Sequence, residues 1–418
     1  MRSMGVLPFR GGSHLQYGSP HEKFDMLYTI KKRERNMIFI KNGYIKTMAG
    51  DDIENGCILL GDDGKIAAVG ADLAAPEGSQ VIDAEGRLVT PGCVEAHSHI
   101  GLSEEALRWE GSDINEKSDP VTPQLRAIDG IRPEDARLTA AIRGGVTSVC
   151  AGPGSANVVG GAFVAMKLAG RCVDDMVIRF PAAMKCAFGE NPKSAYGQSK
   201  KAPITRMATA ALLRDLLTKS RNYLEAKESG KNPAYDAKLE AMLPVMRKEI
   251  PLKAHAHRTD DILTSIRIAR EFDVNLTMDH CTEGHMIADI LAKYDYPALV
   301  GPSFGPKTKP EMKEQSFATA GILHKAGVSI SIITDASVVP QENLPMCAGL
   351  VVNAGLPMEE GWKAITINPA SHIGIADRVG SLEVGKDADV VIWTKDPLVY
   401  IGGEAYTTII DGKVVFQR

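Results

Sequence analysis

The sequence predicts an α/β protein in which a (β/α)8 barrel is joined to a small β-sandwich formed by both terminal segments. Over residues 91–370, short apolar strands alternate with amphipathic helices, which is typical of a parallel barrel. At both ends of the chain, short strands are separated by Asn-Gly and Asp-Gly turns, which is typical of hairpins. A doubly wound open sheet is the alternative for the central region.

The two terminal segments have the same β-rich pattern. After Met37, the apolar run Ile38-Phe39-Ile40 leads into an Asn42-Gly43 turn, and further strands follow up to residue 90. Near the other end, a strand at 389–393 precedes a hairpin at 407–416. We therefore assign 37–90 and 371–418 to one composite β-sandwich domain, and 91–370 to the barrel.

Residues 1–36 differ in composition from the rest of the chain. They are rich in Gly, Ser and His, and they end in the basic cluster Lys31-Lys32-Arg33-Glu34-Arg35. They lack the continuous apolar core of a secretory signal. We predict a disordered N-terminal extension, with Met37 as a natural first residue of the folded part. The alternative is a short arm used in oligomer contacts.

The composition is that of an ordinary soluble globular protein. Charged residues make up 24% of the 418 residues and the formal net charge is −4, which gives no electrostatic case for binding nucleic acid or a membrane surface. No apolar run reaches the roughly 20 residues that span a bilayer. The seven cysteines contain no Cys-x-x-Cys pair, so a disulfide framework is not expected and a reducing cytoplasm is favoured.

The central region resolves into separate strands and helices. Strands are predicted at 147–150, 176–180, 252–255, 275–278, 298–300 and 328–333, and helices at 133–143, 208–228, 260–272, 284–293 and 311–325. In a barrel of this type, reactive residues collect at the carboxyl ends of the strands. Each candidate should therefore fall where a strand pattern stops.

The histidines satisfy that expectation. Six of the ten lie in three close pairs, and the first pair, His97-Ser98-His99, closes a buried run in which alternate side chains share one face. Two further strand patterns end at His255 and His280, and another ends at Asp335, for which a helix N-cap is the plain alternative. These are the ligand types that suit zinc or a similar divalent ion. The pattern predicts one metal site built from four strand ends.

Lys185 is a further candidate ligand. It lies in the apolar stretch 181–189, where a lysine must reach solvent, pair with an acid or lose its charge. A buried lysine with a lowered pKa can react with carbon dioxide, and the resulting carboxylate can bridge two metal ions. Glu190 is either its ion-pair partner or the alternative bridging ligand.

Two other histidines are less well determined by the pattern. His257 shares a face with His255, so it is a ligand, a substrate contact or a residue that orients ligands; we place it in the catalytic set. His285 follows Glu283-Gly284 and either lines the substrate site or lies in the first turn of a helix.

These motifs together resemble the amidohydrolase superfamily of metal-dependent TIM-type barrels. The similarity covers about 37–418, and within the superfamily the chain resembles the imidazolonepropionase-related enzymes, which include prolidase-like dipeptidases. The resemblance implies that the metal ligands are His97, His99, Lys185, His255, His280 and Asp335. True imidazolonepropionases have an acidic residue shortly after the fifth-strand histidine, whereas this chain reads His255-Ala256-His257-Arg258.

The reaction implied by the resemblance is hydrolysis of a carbon–nitrogen bond in an amide, cyclic amide or dipeptide. One or two divalent ions, expected to be Zn²⁺, activate a water molecule. Asp335 acts as general base and then acid, while His257 or Arg258 orients the substrate or stabilises its developing charge. The alternatives are deamination of a nitrogen heterocycle and a non-catalytic barrel scaffold. We expect a small-molecule substrate, no nucleic acid or membrane partner, and self-association into a homo-oligomer, as is common for such barrels.

Overall fold

The computed structural model describes residues 37–105, 107–198 and 201–418, and this part of the chain forms one compact unit. The prediction of a disordered extension at 1–36 lies outside the described residues. The strands are β1 Ile38–Ile45, β2 Ile53–Leu60, β3 Ile66–Gly70, β4 Gln80–Asp83, β5 Leu88–Pro91, β6 Cys93–Ser98, β7 Val146–Ala151, β8 Val159–Lys167, β9 Val177–Ala187, β10 Leu252–Ala256, β11 Leu276–His280, β12 Ala298–Val300, β13 Ile330–Ile332, β14 Val390–Trp393, β15 Ala405–Ile410 and β16 Lys413–Gln417.

The helices flank the later strands, and their ends follow local capping chemistry. They are α1 Ala136–Arg143, α2 Val173–Met176, α3 Glu190–Gly197, α4 Arg206–Glu228, α5 Ala237–Met246, α6 Thr259–Phe272, α7 Ala288–Leu291, α8 Ala318–Lys325, α9 Leu344–Asn353, α10 Met358–Lys363 and α11 Ile367–His372. Helix α4 begins where the Thr205 side chain accepts a hydrogen bond from the Ala208 N–H. It buries Leu213, Leu216 and Leu217, whose spacing forms one helical face.

Strands from both ends of the chain share one sheet. Its order is β16-β15-β14-β5-β1-β2-β3, with β4 also paired to β1. Strand β5 connects the two segments, because it pairs parallel to β1 and antiparallel to β14. Alternating apolar side chains from both segments form one buried cluster, which includes Ile40, Val89 and Ile392. The shared pattern of the two termini thus reflects a shared sheet.

The second sheet runs in chain order from β6 to β13. Its strands are parallel except β8, which is antiparallel to both β7 and β9. No helix separates β7 from β8, so the strand–helix alternation expected from the sequence is interrupted at this point. The first and last strands approach each other through a hydrogen bond from the His99 N–H to the Ala336 carbonyl (2.7 Å).

Two of the predicted helices are shorter than expected. The segment predicted as a helix at 284–293 is a 3-10 turn at Gly284–Ile287 followed by α7. The segment predicted as a helix at 311–325 begins with a separate 3-10 turn at Pro310–Met312, and α8 starts only at Ala318. The difference places Glu311 in a short 3-10 turn rather than in helix α8.

Candidate metal centre

The sequence-predicted ligands meet at one end of the central sheet. They are His97 in β6, His99 directly after it, Lys185 in β9, His255 in β10, His280 at the end of β11 and Asp335, three residues beyond β13. The parallel register sets β10 and β11 level, pairing Ala256 with His280. The carboxyl ends of these strands therefore supply side chains to a common site.

The side chains form two groups that share one histidine. The ligand atoms of His97, His280 and Asp335 lie within 4.8 Å of one another, and so do those of His255, His257 and His280. Asp335 Oδ1 is 3.1 Å from His99 Nε2, which adds His99 to the first group. Each group could hold a metal ion, and the single lone pair on His280 Nε2 can serve only one of them.

Hydrogen bonds at Nδ1 decide which nitrogen each imidazole presents. His99 Nδ1–H donates to the Gly152 carbonyl (2.6 Å) and His280 Nδ1–H to the Gly301 carbonyl (2.7 Å). His97 Nδ1–H donates to the Asp279 carboxylate (2.6 Å). Because these acceptors carry no proton, each neutral ring keeps a lone pair on Nε2, which faces the cluster.

The donor set fits a divalent metal ion. His280 Nε2 and Glu311 Oε1 are buried and have no hydrogen-bond partner among the described residues. Buried polar atoms are normally satisfied, so two unpaired acceptors facing one cluster indicate a position for a cation. Imidazole nitrogens and carboxylate oxygens are the ligands that zinc prefers.

Burial keeps the histidines neutral. It lowers the pKa of His257 to about 4, and it lowers the pKa of His255 and His280 well below the ordinary value. Burial alone would raise the pKa of Asp335, but its contacts with His97 and His99 outweigh burial and hold that pKa well below its usual range. Neutral imidazoles and an ionised carboxylate are the protonation states that bind a metal ion.

The backbone at two candidate ligands is strained. His280 has φ = 72° and Asp335 has φ = 52°, a left-handed conformation that side-chain-bearing residues seldom adopt. Such strain persists only where the surroundings enforce it, and it clusters at functional sites. Both side chains are aimed into the cluster from these positions.

Lys185 points into the cluster from β9. It is fully buried, and its Nζ lies 3.2 Å from His97 Nε2. Burial lowers the pKa of its amine to about 8. Glu190 begins α3 and meets the site through its backbone N–H, which donates to Oε2 of Glu311 (2.9 Å).

Two of the predicted substrate contacts make their interactions elsewhere. Arg258 is exposed, and its guanidinium donates to both oxygens of Asp260 at 3.0 Å. His285 lies in the 3-10 turn before α7, with Nδ1 3.1 Å from the Thr319 hydroxyl. The structure therefore does not join either side chain to the two ligand groups.

A buried charge pair behind His97 was not predicted from the sequence. Asp279, fully buried on β11, accepts hydrogen bonds from His97 and from the Thr277 hydroxyl (2.8 Å), and it lies 3.2 Å from the Lys253 ammonium. These charges hold the pKa of Asp279 well below its usual range, although burial opposes them. The available signal was a charged residue inside a short apolar strand, because β10 and β11 are buried along their whole length and a charge there needs a partner.

Glu95 was also missed. This buried carboxylate on β6 accepts hydrogen bonds from the His97 N–H (3.0 Å), from both the N–H and hydroxyl of Thr334, and from the Gln341 amide. Burial raises its pKa to about 7 even though these donors oppose the shift. Because Thr334 precedes Asp335, Glu95 fixes the first ligand strand against the last.

The match to known proteins agrees with this geometry. The Amidohydrolase family model matches residues 88–415. The chain belongs to the amidohydrolase family. A solved amidohydrolase from Thermotoga maritima MSB8 is 41% identical and superposes with a TM-score of 0.88, over 91% of this chain and 100% of that chain.

Two curated relatives of this amidohydrolase are more distant. The amidohydrolase tasK of Hapsidospora irregularis is 29% identical over 373 residues, which cover 82% of this chain but 38% of that protein. The imidazolonepropionase of Sphingopyxis alaskensis is 25% identical over 385 residues, covering 86% of this chain and 93% of the relative. The resemblance expected from the motifs is confirmed.

The family membership settles the reaction class. The amidohydrolase is a metal-dependent hydrolase that acts on carbon–nitrogen bonds, and its family acts on small molecules. Among the described residues, no helix is both long and apolar enough to cross a bilayer.

Proposed function

We propose that this amidohydrolase cleaves an amide, cyclic amide or dipeptide bond at a site that binds two Zn²⁺ ions. The observation that carries the proposal is the pair of ligand groups sharing His280, each with its ligand atoms within 4.8 Å. The imidazolonepropionase relative supports a cyclic amide as the first substrate class to test.

A bound divalent ion lowers the pKa of a water molecule towards about 7 and polarises the scissile carbonyl. The protein's own contribution centres on Asp335, whose carboxylate lies among the ligand nitrogens, 3.1 Å from His99 Nε2. In this position it accepts the proton of the attacking water and passes it to the leaving nitrogen. The buried histidines hold their Nε2 atoms in place through their Nδ1 hydrogen bonds.

Lys185 is proposed as the bridging ligand after carboxylation. Its Nζ lies 3.2 Å from His97 Nε2, so an added carboxylate would stand among the ligands of both groups. Glu190 reaches the site by its backbone N–H, which favours Lys185 over Glu190 as the bridge. The check is metal content after reconstitution: about two equivalents with bicarbonate and fewer without it. Equal content under both conditions would argue against carboxylation.

Residues at the rim are proposed to handle the substrate. His257 is the exception, because it is buried beside His255 and His280; we propose that it belongs to the second ligand group and acts on the substrate from there. Arg258 and His285 follow the same strand ends but have local partners, so each must leave Asp260 or Thr319 to contact a substrate. Their contribution is expected in KM rather than in kcat.

For the fold that carries the site, we propose the architecture predicted from the sequence, a barrel joined to a small β-sandwich. The approach of β6 to the end of β13 supports closure of the central sheet into a (β/α)8 barrel over 91–370. The buried cluster shared by the strands of 37–90 and 371–418 supports a small sandwich.

A substrate panel tests the proposed function. The zinc-loaded enzyme and a metal-stripped control are incubated with cyclic amides, N-acyl amino acids, dipeptides and amino-substituted heterocycles, and each reaction is followed by product analysis and ammonia release. We expect metal-dependent ring opening or amide cleavage without free ammonia. Ammonia release from heterocycles alone would show a deaminase, and no turnover in any class would support a scaffold.

A further inference from the structure

Glu311 is a buried acid whose role the reaction does not explain. Its side chain is only 1% exposed, and Oε2 accepts the Glu190 N–H at 2.9 Å. Oε1 has no hydrogen-bond partner among the residues described here. It lies 3.7 Å from His255 Nε2 and 3.8 Å from His257 Nε2. A buried carboxylate oxygen without a hydrogen-bond partner costs free energy unless a cation binds to it.

The neighbouring histidines are arranged as donors to the same point. The rings of His257 and His280 are stacked with centroids 4.7 Å apart, and that of His255 is 4.4 Å from His280. His257 Nδ1 is held by the Thr282 hydroxyl at 2.7 Å and His280 Nδ1 by the Gly301 carbonyl, so their Nε2 atoms face inwards. Three imidazoles and one carboxylate therefore converge.

We propose that His255, His257, His280 and Glu311 together form the binding site for one metal ion, with Glu311 as its carboxylate ligand. The inference rests on the proposed metal-dependent function and adds one ligand, Glu311, that the sequence pattern did not supply. With metal–ligand bonds of about 2.0–2.2 Å, neighbouring donors of a tetrahedral zinc site stand about 3.4 Å apart. The two Glu311–histidine distances match this within a few tenths of an ångström.

The backbone beside Glu311 leaves room for this carboxylate. Gly189 has φ = 78°, and a Cβ at that position would stand 2.5 Å from Glu311 Oε2. Any side chain at 189 would push the carboxylate away from the backbone N–H that holds it. The glycine at 189 thus leaves the space in which the Glu190 N–H can hold Oε2, and in this orientation Oε1 faces the histidines.

The proposal separates the two metal positions chemically. Asp335 is the carboxylate of the other group and Glu311 that of this one, so the ion beside Glu311 does not require carboxylated Lys185. We expect Lys185→Met, prepared without bicarbonate, to keep the ion at His255, His257 and His280. A second substitution, Glu311→Gln in that background, should weaken the binding of that ion.

Metal titration of the full-length protein tests the assignment without measuring turnover. Metal-stripped wild type, Glu311→Gln and Glu314→Gln are titrated with Zn²⁺ against a chromophoric chelator, and the Co²⁺ forms are compared by their visible absorption. Glu314 is the matched control, because it lies in the same segment with a side chain 41% exposed. Glu311→Gln should weaken one of two sites by at least about 100-fold, since even residues that only orient a ligand change metal affinity about 10- to 100-fold. Its Co²⁺ spectrum should lose intensity, while Glu314→Gln matches wild type.

Thermal melting distinguishes a lost ligand from a damaged fold. The metal-free form of Glu311→Gln should melt at or above the wild-type temperature, because the substitution removes a buried acid with an unpaired oxygen. The rise in Tm on adding Zn²⁺ should be smaller than in wild type.

Two sites of wild-type affinity in Glu311→Gln would overturn the proposal. If that variant does not fold, anomalous scattering from wild-type crystals soaked in Zn²⁺ decides: a peak within bonding distance of Glu311 Oε1 supports the assignment, and a peak elsewhere refutes it. Confirmed ligands with no turnover in the substrate panel would refute the proposed reaction and leave this site standing.

Discussion

At the residue scale, the hydrogen bond at Nδ1 determines what each buried histidine can do. His97 donates to a carboxylate, and His99 and His280 donate to backbone carbonyls, so in all three the lone pair is on Nε2, which faces the cluster. His372 instead has both ring nitrogens occupied, by the Ser329 and Ser331 hydroxyls at 2.8 Å. The contrast separates the proposed metal ligands from a histidine with a structural role.

Asp335→Asn tests the general base. The amide has the same shape and an oxygen that can still face a metal ion, but it cannot accept the proton of the attacking water. We expect metal content near the wild-type value and a fall in kcat of at least about 100-fold. The measurements are metal analysis and steady-state kinetics on the substrate identified in the panel. Hydrolysis at the wild-type rate would contradict the role given to Asp335.

The sequence predicted the site residues that end strands, for a physical reason. His97, His255 and His280 interrupt apolar runs, and a polar residue in a buried strand is visible in a single sequence. Glu311 was not predictable in this way, because it lies in a charged loop segment whose burial depends on packing against Gly189 and the histidines. Long-range packing, rather than local pattern, makes it a candidate ligand.

At the element scale, β8 shows the limits of the period-two pattern. Its sequence contains the pair Gly160-Gly161 inside an apolar run, which resembles a loop, yet all nine residues are buried strand. Gly161 is needed there because a Cβ at this position would stand 2.5 Å from the Leu125 carbonyl oxygen. The loop that contains Leu125 thus passes so close to the strand that a glycine is required, and this glycine makes the strand hard to recognise in the sequence.

His372 links α11 to the segment around β13 and should make that contact sensitive to acid. Burial lowers its pKa to about 4, so the imidazole stays neutral in the folded protein while the unfolded chain takes up a proton below about 6.5. Its stabilising effect is therefore present above pH 6.5 and is lost as the pH falls towards 4. Allowing for partial exposure, we expect a loss of about 1 kcal/mol between pH 7 and pH 5.

The test compares urea unfolding of wild type and His372→Gln at pH 7 and pH 5. The variant should be less stable at pH 7 but lose about 1 kcal/mol less than wild type on acidification. His324→Gln on α8 controls for removal of a half-buried imidazole. An identical pH dependence in His372→Gln and wild type would show that His372 does not titrate as described.

At the scale of the whole molecule, a buried cation joins the two sheets. Lys167, the last residue of β8, is 3% exposed. Its Nζ lies 2.7 Å from Asp389, 3.1 Å from Asp387 and 3.2 Å from Asp411, all in the segment that completes the terminal sheet. Lys65 and Arg378 also bind Asp387, so three cations balance three carboxylates. The common pattern of the two termini predicted their shared sheet. It did not predict the contact of Lys167 with the three aspartates, because Lys167 lies in β8, a strand that was not recognised in the sequence.

Lys167→Met should destabilise the entire described unit. It leaves Asp389 buried without a cation at hydrogen-bond distance, and removing one partner from a buried charged network costs about 3–5 kcal/mol. We expect the denaturation midpoint to fall for both sheets together. Tryptophan fluorescence measures this midpoint, because Trp393 of the terminal sheet packs against Trp362 near the central sheet. Lys248→Met, which breaks an exposed pair with Asp273, should change stability by at most about 1 kcal/mol. Adding Asp389→Asn to Lys167→Met should recover part of the loss, since it removes the unpaired charge. A midpoint unchanged in Lys167→Met would mean that the two sheets are held together by apolar packing alone.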